Sequence, residues 1–362
     1  MQSATKQNEV QLKTAVPSIN DLHSLVDELA NCSLKEFPGE HDHNTQFQNL
    51  QNHLNKYYHP GVTAAAAIAD GTGFLTDHGP EHIKTVIKRA SEVLKVSSGN
   101  SLSGYEKYIL LVAAHVHDLG NYFGRESHEM NAEKVMAELG SVLGDEMPEK
   151  RAIFEVAQAH GGKIGSDKDK IGYLPRTRDV LGKDVHPRFL AALLRFADEL
   201  ADERSRALRY MIDSGKIPKS SEVFHKYAYA LHSVMVTAEA VRLEFELSET
   251  DVSHKFGKGD GEVFLLDEIY ERTMKMHRER MYCMRFLRRD ISIDRIEVLI
   301  RIYAPGFSLL KERASISYTL QETGYPDEKN PTIFALCPAL SHHEYGSPLN
   351  GKALKKFLNQ NK

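Results

Sequence analysis

The sequence predicts a mainly α-helical protein with a smaller α+β region toward its C-terminal end. Three observations carry this reading. Apolar residues recur at helical spacing through most of residues 18 to 210, between Gly- and Pro-marked loops. A run free of Gly and Pro extends from Glu262 to Arg289, and three segments beyond residue 215 alternate apolar and polar residues with period two.

The elements follow in order. From Asp77 to Lys95 a helix takes Thr76 or Asp77 as its cap and Pro80 in its first turn, and Ile83, Val86, Ile87, Ala90, Val93 and Leu94 form its stripe. Tyr108 to Val116 is apolar almost throughout and closes on His117-Asp118, just before Leu119-Gly120. Pro148 opens a shorter helix that runs to His160 and stops at Gly161-Gly162. Starting near Pro187, Leu190, Leu193, Leu194, Ala197, Leu200 and Ala201 share one face. Val241–Leu247, Ile296–Ile302 and Ile316–Leu320 read as half-buried strands. The run from Glu262 to Arg289 reads as one long helix, placed to pack back on the helical part. The last forty residues read as loop plus a short terminal helix, and no solenoid-period repeat is present. The expected division is a helical extension over 1–60, a helical core over 61–215 and an α+β region over 216–362.

Composition narrows the function classes. With 362 residues, 41% hydrophobic and 27% charged, the chain is of soluble globular type. A net charge of -4 gives no electrostatic case for nucleic acid or an anionic membrane. No apolar run approaches the roughly 20 residues of a membrane span, and the polar N-terminus, read as disordered, shows no signal-peptide core. Cys32, Cys283 and Cys337 are few, odd in number and far apart, which suggests a reducing, cytoplasmic location and excludes a cysteine zinc cage within the chain. Histidine is the outlier, with 18 copies. His41, His43, His342 and His343 read as surface residues; the cluster between residues 78 and 160 is the informative one.

A histidine beside a carboxylate at a buried helix end is costly unless something pairs with both. A divalent cation at His117-Asp118 would do so, helped by the negative end of the helix dipole. His82 upstream and Asp198 downstream border the buried faces of their own helices and are the other candidate ligands. Alone, either is ordinarily a satisfied core residue or a salt-bridge partner. Two imidazoles and two carboxylates suit manganese, iron or magnesium. His78 is the alternative to His82, and Asp202 the alternative to Asp198.

The order His, His-Asp, Asp, each on its own helix, resembles the HD phosphohydrolase superfamily. The strings that carry the resemblance are Glu81-His82-Ile83-Lys84-Thr85-Val86, Ala114-His115-Val116-His117-Asp118-Leu119-Gly120 and Arg195-Phe196-Ala197-Asp198-Glu199-Leu200-Ala201-Asp202. Tyr58-His59-Pro60-Gly61 and Thr76-Asp77-His78-Gly79-Pro80-Glu81-His82 resemble the bacterial HD-CE branch, often found in genome-defence contexts. The resemblance implies an HD-type helical bundle with the metal on His82, His117, Asp118 and Asp198.

It also implies that His128 and His160 face the reacting phosphate, as a general acid, a phosphate clamp or ligands of a second metal. Without it, His128 reads as a solvent-facing loop residue and His160 as a histidine on a helix dipole. Arg125, Lys163 and Arg195 lie near these motifs and are candidates to offset phosphate charge, each otherwise a solvated surface charge. On the long helix, Arg272, Lys275, Arg278, Arg280, Arg285, Arg288 and Arg289 form a basic face. It would suit nucleotide phosphate, at the active site or an effector pocket, or nucleic acid. Equally, it is an exposed helix balanced by Asp267, Glu268 and Glu271. Lys226-Tyr227-Ala228-Tyr229 reads as core packing or a base-stacking pair.

The resemblance implies a metal-dependent nucleotide phosphohydrolase, most directly a deoxynucleoside triphosphate triphosphohydrolase that self-associates. The chain departs from that group after the His-Asp motif, where Asn121-Tyr122-Phe123-Gly124 replaces Gly-His-Pro-Pro-Phe-Gly-His. The alternatives are a cyclic mono- or dinucleotide phosphodiesterase, although no Gly-Tyr-Pro signature stands within residues 75 to 210, and a non-catalytic nucleotide sensor.

Overall fold

Ser103 begins the helix around which the helical part is built: its hydroxyl accepts from the Glu106 backbone while the Glu106 carboxylate bonds the Ser103 amide. The computed structural model describes residues 24–68, 79–97, 102–123, 128–162, 164–202, 217–287, 290–304, 312–322 and 331–360. In chain order, α1 (Leu25–Ala30), α2 (His43–Tyr57), α3 (His59–Ile68) and α4 (Pro80–Lys95) precede that helix, α5 (Gly104–Val116). After it come α6 (His128–Leu139), α7 (Met147–Gln158) and α8 (Pro187–Glu199). All but one residue of α5 is buried, and α1, α2, α4, α7 and α8 pack around it. A helix apolar on every side must be enclosed in this way.

The α+β part begins with α9 (Glu222–Ala230), β3 (Leu231–Val236) and β4 (Ala240–Ser248). It continues through α10 (Glu249–Ser253), the hairpin β5 (Lys255–Lys258) and β6 (Gly261–Phe264), and α11 (Leu265–Leu287). The chain then forms β7 (Arg295–Tyr303), β8 (Glu312–Gln321), α12 (Ile333–Leu336) and α13 (Gly351–Gln360). Four strands make one sheet in the order β3-β4-β7-β8, with β4 and β7 parallel and the outer pairs antiparallel. A parallel pair needs a long crossover, and α11 lies within it. Inward residues of β4 and β7 (Val241, Leu243, Phe245, Ile296, Ile300, Ile302) are fully buried, whereas the other face carries ion pairs such as Arg242–Glu297 and Arg301–Glu244. One contiguous cluster of buried residues runs from Leu25 to Leu358 and joins both parts.

The three period-two strands and the mainly helical class stand as read. Several boundaries differ. α4 begins at Pro80 with Gly79 as its cap; Thr76, Asp77 and His78 lie outside the described residues. The long helix starts at Leu265, not Glu262, because Gly261–Phe264 pairs with Lys255–Lys258 as a strand. A small hairpin, β1 (Arg178–Val180) with β2 (Lys183–Val185), interrupts the region read as wholly helical, turning through Leu181 and Gly182 at positive φ. No described helix is long and apolar enough to cross a membrane.

Close approach fixes Gly257 in β5. A Cβ there would lie 1.8 Å from the Lys219 carbonyl oxygen, a rigid backbone neighbour. Gly257→Ala is therefore expected to destabilise the protein by about 1–3 kcal/mol, the usual range for overpacking. A urea midpoint unchanged from wild type would contradict this reading.

Candidate metal centre

Each candidate ligand sits at the end of a helix, where a side chain can leave the packed bundle without surrendering backbone hydrogen bonds. His82 is in the first turn of α4, behind Pro80 at the first helical position. His117 caps α5 and Asp118 follows it; Asp198 is in the last turn of α8. α4, α5 and α8 pack on one another, and this brings the ends together.

His82, His117 and Asp118 offer ligand atoms that all lie within 4.8 Å of one another. Asp198 Oδ1 is 3.1 Å from His82 Nε2 and 3.8 Å from His117 Nε2. Asp118 Oδ2 is 3.4 Å from His117 Nε2 and 3.8 Å from His82 Nε2. The cluster is deeply set, with both imidazoles almost fully buried. The structure thus brings together the four residues read as ligands. Asp202, the alternative to Asp198, is instead paired with Arg272.

The donor set fits a cation. His117 Nδ1 bonds the Ala114 carbonyl at 2.8 Å, which puts Nε2 toward the carboxylates. That back-bond to a carbonyl is the arrangement that orients a metal-ligating histidine. Nε2 itself is buried and faces the carboxylates of Asp118 and Asp198. Burial disfavours an imidazolium there, yet Asp118 and Asp198 outweigh it and raise the His117 pKa well above the usual value. Burial alone would raise the Asp198 pKa, but hydrogen bonds to His117 and His82 hold it well below the carboxylate range. A buried carboxylate, Asp118, and a partly buried one, Asp198, call for positive charge at the point where the four side chains meet.

His160, just beyond α7, joins the cluster. Its ring packs edge-on against His117 at 4.9 Å, and Nε2 is 3.7 Å from Asp118 Oδ1. Nδ1 bonds the Ala157 carbonyl. Burial, followed by repulsion from His117, lowers the His160 pKa to about 4. At neutral pH it is uncharged.

The other candidates fare differently. His128 is the first residue of α6 rather than a loop residue, but its side chain lies outside the described residues, as do Arg125 and Lys163. Arg195 grips Glu279 of α11 with two hydrogen bonds, at 2.7 and 2.9 Å, and lies 4.6 Å above the Tyr282 ring. The structure places it on that helix instead of at the cluster, where a phosphate contact was expected.

Four of the seven residues read as the basic face of α11 are accounted for in the same way, and Arg288 and Arg289 lie outside the described residues. Arg272 pairs with Asp202 and Glu268, Lys275 with Glu199, and Arg285 approaches Asp169, while Arg280 is buried and bonds the Ile293 carbonyl. Arg195–Glu279, Glu199–Lys275 and Asp202–Arg272 form a ladder that holds α11 against the ligand-bearing α8. Tyr227 is core, with the Arg272 guanidinium 4.7 Å above its ring.

Sequence reading missed two histidine sites. His59 and His115 are buried beside the centre, with His59 Nε2 3.4 Å from His115 Nδ1. His43, read as a surface residue, is buried and bonds Glu149 at 3.0 Å. Its polar neighbours in sequence hide this.

Burial depresses three of these histidines: His59 to about 4, His115 to about 3 and His160 to about 4. Below the unfolded value near 6.5, the unfolded chain binds protons that the folded protein refuses. The stability they support is complete above about pH 6.5 and is lost as pH falls toward 4 and then 3. His117, whose pKa is raised, acts only above that window. Metal-free protein is expected to lose on the order of 1–3 kcal/mol per imidazole across the window. Urea midpoints between pH 7.5 and 5 in chelator measure it, and a flat profile would sink the account.

A helical bundle that gathers His, His-Asp and Asp from the ends of three helices defines an HD-domain protein. Residues 72–273 match the HD-CE family model, more than half of the chain, and the protein belongs to the HD-CE family. No curated protein matches it. No solved structure does either. The family and the buried His-His-Asp cluster together indicate metal-dependent phosphohydrolase chemistry of the HD type.

Proposed function

We propose that the protein is a metal-dependent phosphohydrolase of nucleotides, with a deoxynucleoside triphosphate as its first candidate substrate and deoxynucleoside and triphosphate as products. The observation that carries the reading is the convergence of two imidazoles and two carboxylates at one point, with all but Asp198 buried. Manganese, iron or magnesium on His82, His117, Asp118 and Asp198 would supply Lewis acidity toward water and a phosphoryl oxygen. Asp118 and Asp198 fix the imidazoles, and the Ala114 carbonyl holds the His117 ring in the orientation a ligand needs. His160 stands 3.7 Å from Asp118, and the family resemblance gives it the role of general acid, phosphate clamp or ligand of a second metal. The triphosphate preference rests on the family resemblance of His128 and His160. A defence or nucleotide-signalling setting and self-association belong to the same proposal.

The test is a phosphate-release and chromatography screen of deoxynucleotides, ribonucleotides and cyclic nucleotides with manganese or magnesium. Triphosphate or pyrophosphate release from a nucleoside triphosphate supports the proposal. Cleavage of cyclic substrates alone replaces it with a phosphodiesterase. Metal and nucleotide binding without turnover replaces it with a sensor.

A further inference from the structure

Three residues past Asp118 stands a polar side chain with no hydrogen-bond partner among the described residues. Asn121 is 5% exposed, and neither its Oδ1 nor its Nδ2 makes a hydrogen bond. Leaving one buried polar group unpaired costs stability, and a carboxamide has a donor end and an acceptor end to satisfy. Native proteins keep such groups where a ligand or water completes them.

Its position says what that ligand is. α5 closes at His117, whose amide bonds the Ala113 carbonyl, and a 3-10 turn follows over Leu119–Phe123, where the Asn121 amide bonds the Asp118 carbonyl at 3.0 Å. Residues three and four apart on such a turn share a face, so Asn121 lies on the side that presents Asp118 and His117. Its neighbours divide differently, with Leu119 in the core and Tyr122 and Phe123 exposed. A carboxamide can accept from a water and donate to an oxyanion at once, the two polar species a phosphoryl-transfer centre must hold.

Resting on the hydrolase reading above, we infer that Asn121 is a substrate-contacting residue of this centre. Its Nδ2 donates to a phosphoryl oxygen, and its Oδ1 accepts from the attacking water and orients it toward phosphorus. Asn121 takes up no proton and forms no bond to phosphorus.

The test is Asn121→Leu, close in size and without polar atoms, compared with wild type in manganese. Three quantities are read: Tm, the Tm gain from millimolar inorganic phosphate or tripolyphosphate, and kcat/KM on the substrate found by the screen. Removing an unpaired amide is expected to raise Tm by about 2–6 °C. The phosphate-induced gain is expected to vanish, and kcat/KM to fall about 100-fold, the scale for losing one oxyanion donor. Asn121→Gln, which keeps the carboxamide, is expected to recover part of the phosphate response. A lower Tm would show that Asn121 has a structural partner and overturn the inference. So would an unchanged phosphate response, as a merely structural buried water predicts. If wild type turns over no nucleotide yet gains stability from phosphate through Asn121, the hydrolase reading fails and the phosphate contact stands.

Discussion

Asp118→Ala is expected to abolish hydrolysis, by about a thousandfold or more, while leaving a folded protein. The magnitude follows because single groups that stabilise charge at such centres are each worth roughly 100- to 1,000-fold, and Asp118 is asked to hold the metal as well. The sign of the stability change depends on the metal. Without a cation, Asp118 is a buried carboxylate near the partly buried Asp198, so its removal relieves repulsion while depriving His117 of a partner; the net change is expected within about 1 kcal/mol. With manganese, wild type gains binding free energy that grows with metal concentration and the variant does not.

Proton release provides a second readout. His117 carries a raised pKa because of Asp118 and Asp198, so a cation on its Nε2 must displace a proton. Wild-type affinity for manganese is therefore expected to rise with pH through neutrality. Calorimetry in two buffers of different ionisation enthalpy measures that proton. Manganese bound one-to-one by Asp118→Ala at wild-type affinity would remove Asp118 from the ligand set.

What the sequence disclosed, and what it concealed, follow from the range of the interactions. His82, His117, Asp118 and Asp198 were legible because each marks the end of a helix whose apolar spacing is visible, and because a His-Asp pair after an apolar run needs a reason. The β4, β7 and β8 strands were legible by period. Arg195 was misjudged because its partner, Glu279, is 84 residues away, and nothing local distinguishes a paired guanidinium from a free one. Much of the basic face of α11 dissolved for the same reason: Arg272, Lys275 and Arg285 are answered by Asp202, Glu199 and Asp169 on other elements. The β1–β2 strands are three residues each, too short for alternation to register. β6 merged into the long helix because Glu262, Val263 and Phe264 break no helical rule; only their pairing with β5 makes them a strand. The unpaired amide of Asn121 is a property of packing alone.

The largest stability effect is expected at Glu149, far from any motif. This buried carboxylate of α7 accepts from His43 Nε2 at 3.0 Å, Tyr105 at 2.9 Å, Tyr108 at 3.3 Å and Gln46 at 3.5 Å. The donors come from α2 and α5, so one side chain ties three helices together at the end opposite the metal. Glu149→Leu would leave His43 Nε2 and the hydroxyls of Tyr105 and Tyr108 without their acceptor. Orphaning the partners of a buried charge costs about 3–5 kcal/mol, and that is the expected loss in urea unfolding. Glu149→Gln retains the shape and one acceptor and is expected to lose roughly half as much. Coupling separates the network from simple cavity formation. Tyr108→Phe is expected to destabilise wild type by about 1–2 kcal/mol and to be nearly neutral in Glu149→Leu, because the hydroxyl has by then lost its acceptor. Equal costs in the two backgrounds would mean that the phenol and the carboxylate do not act together. Because α5 and α7 end at His117 and His160, the loosened bundle should also bind manganese more weakly, a loss that Glu149→Gln should largely restore.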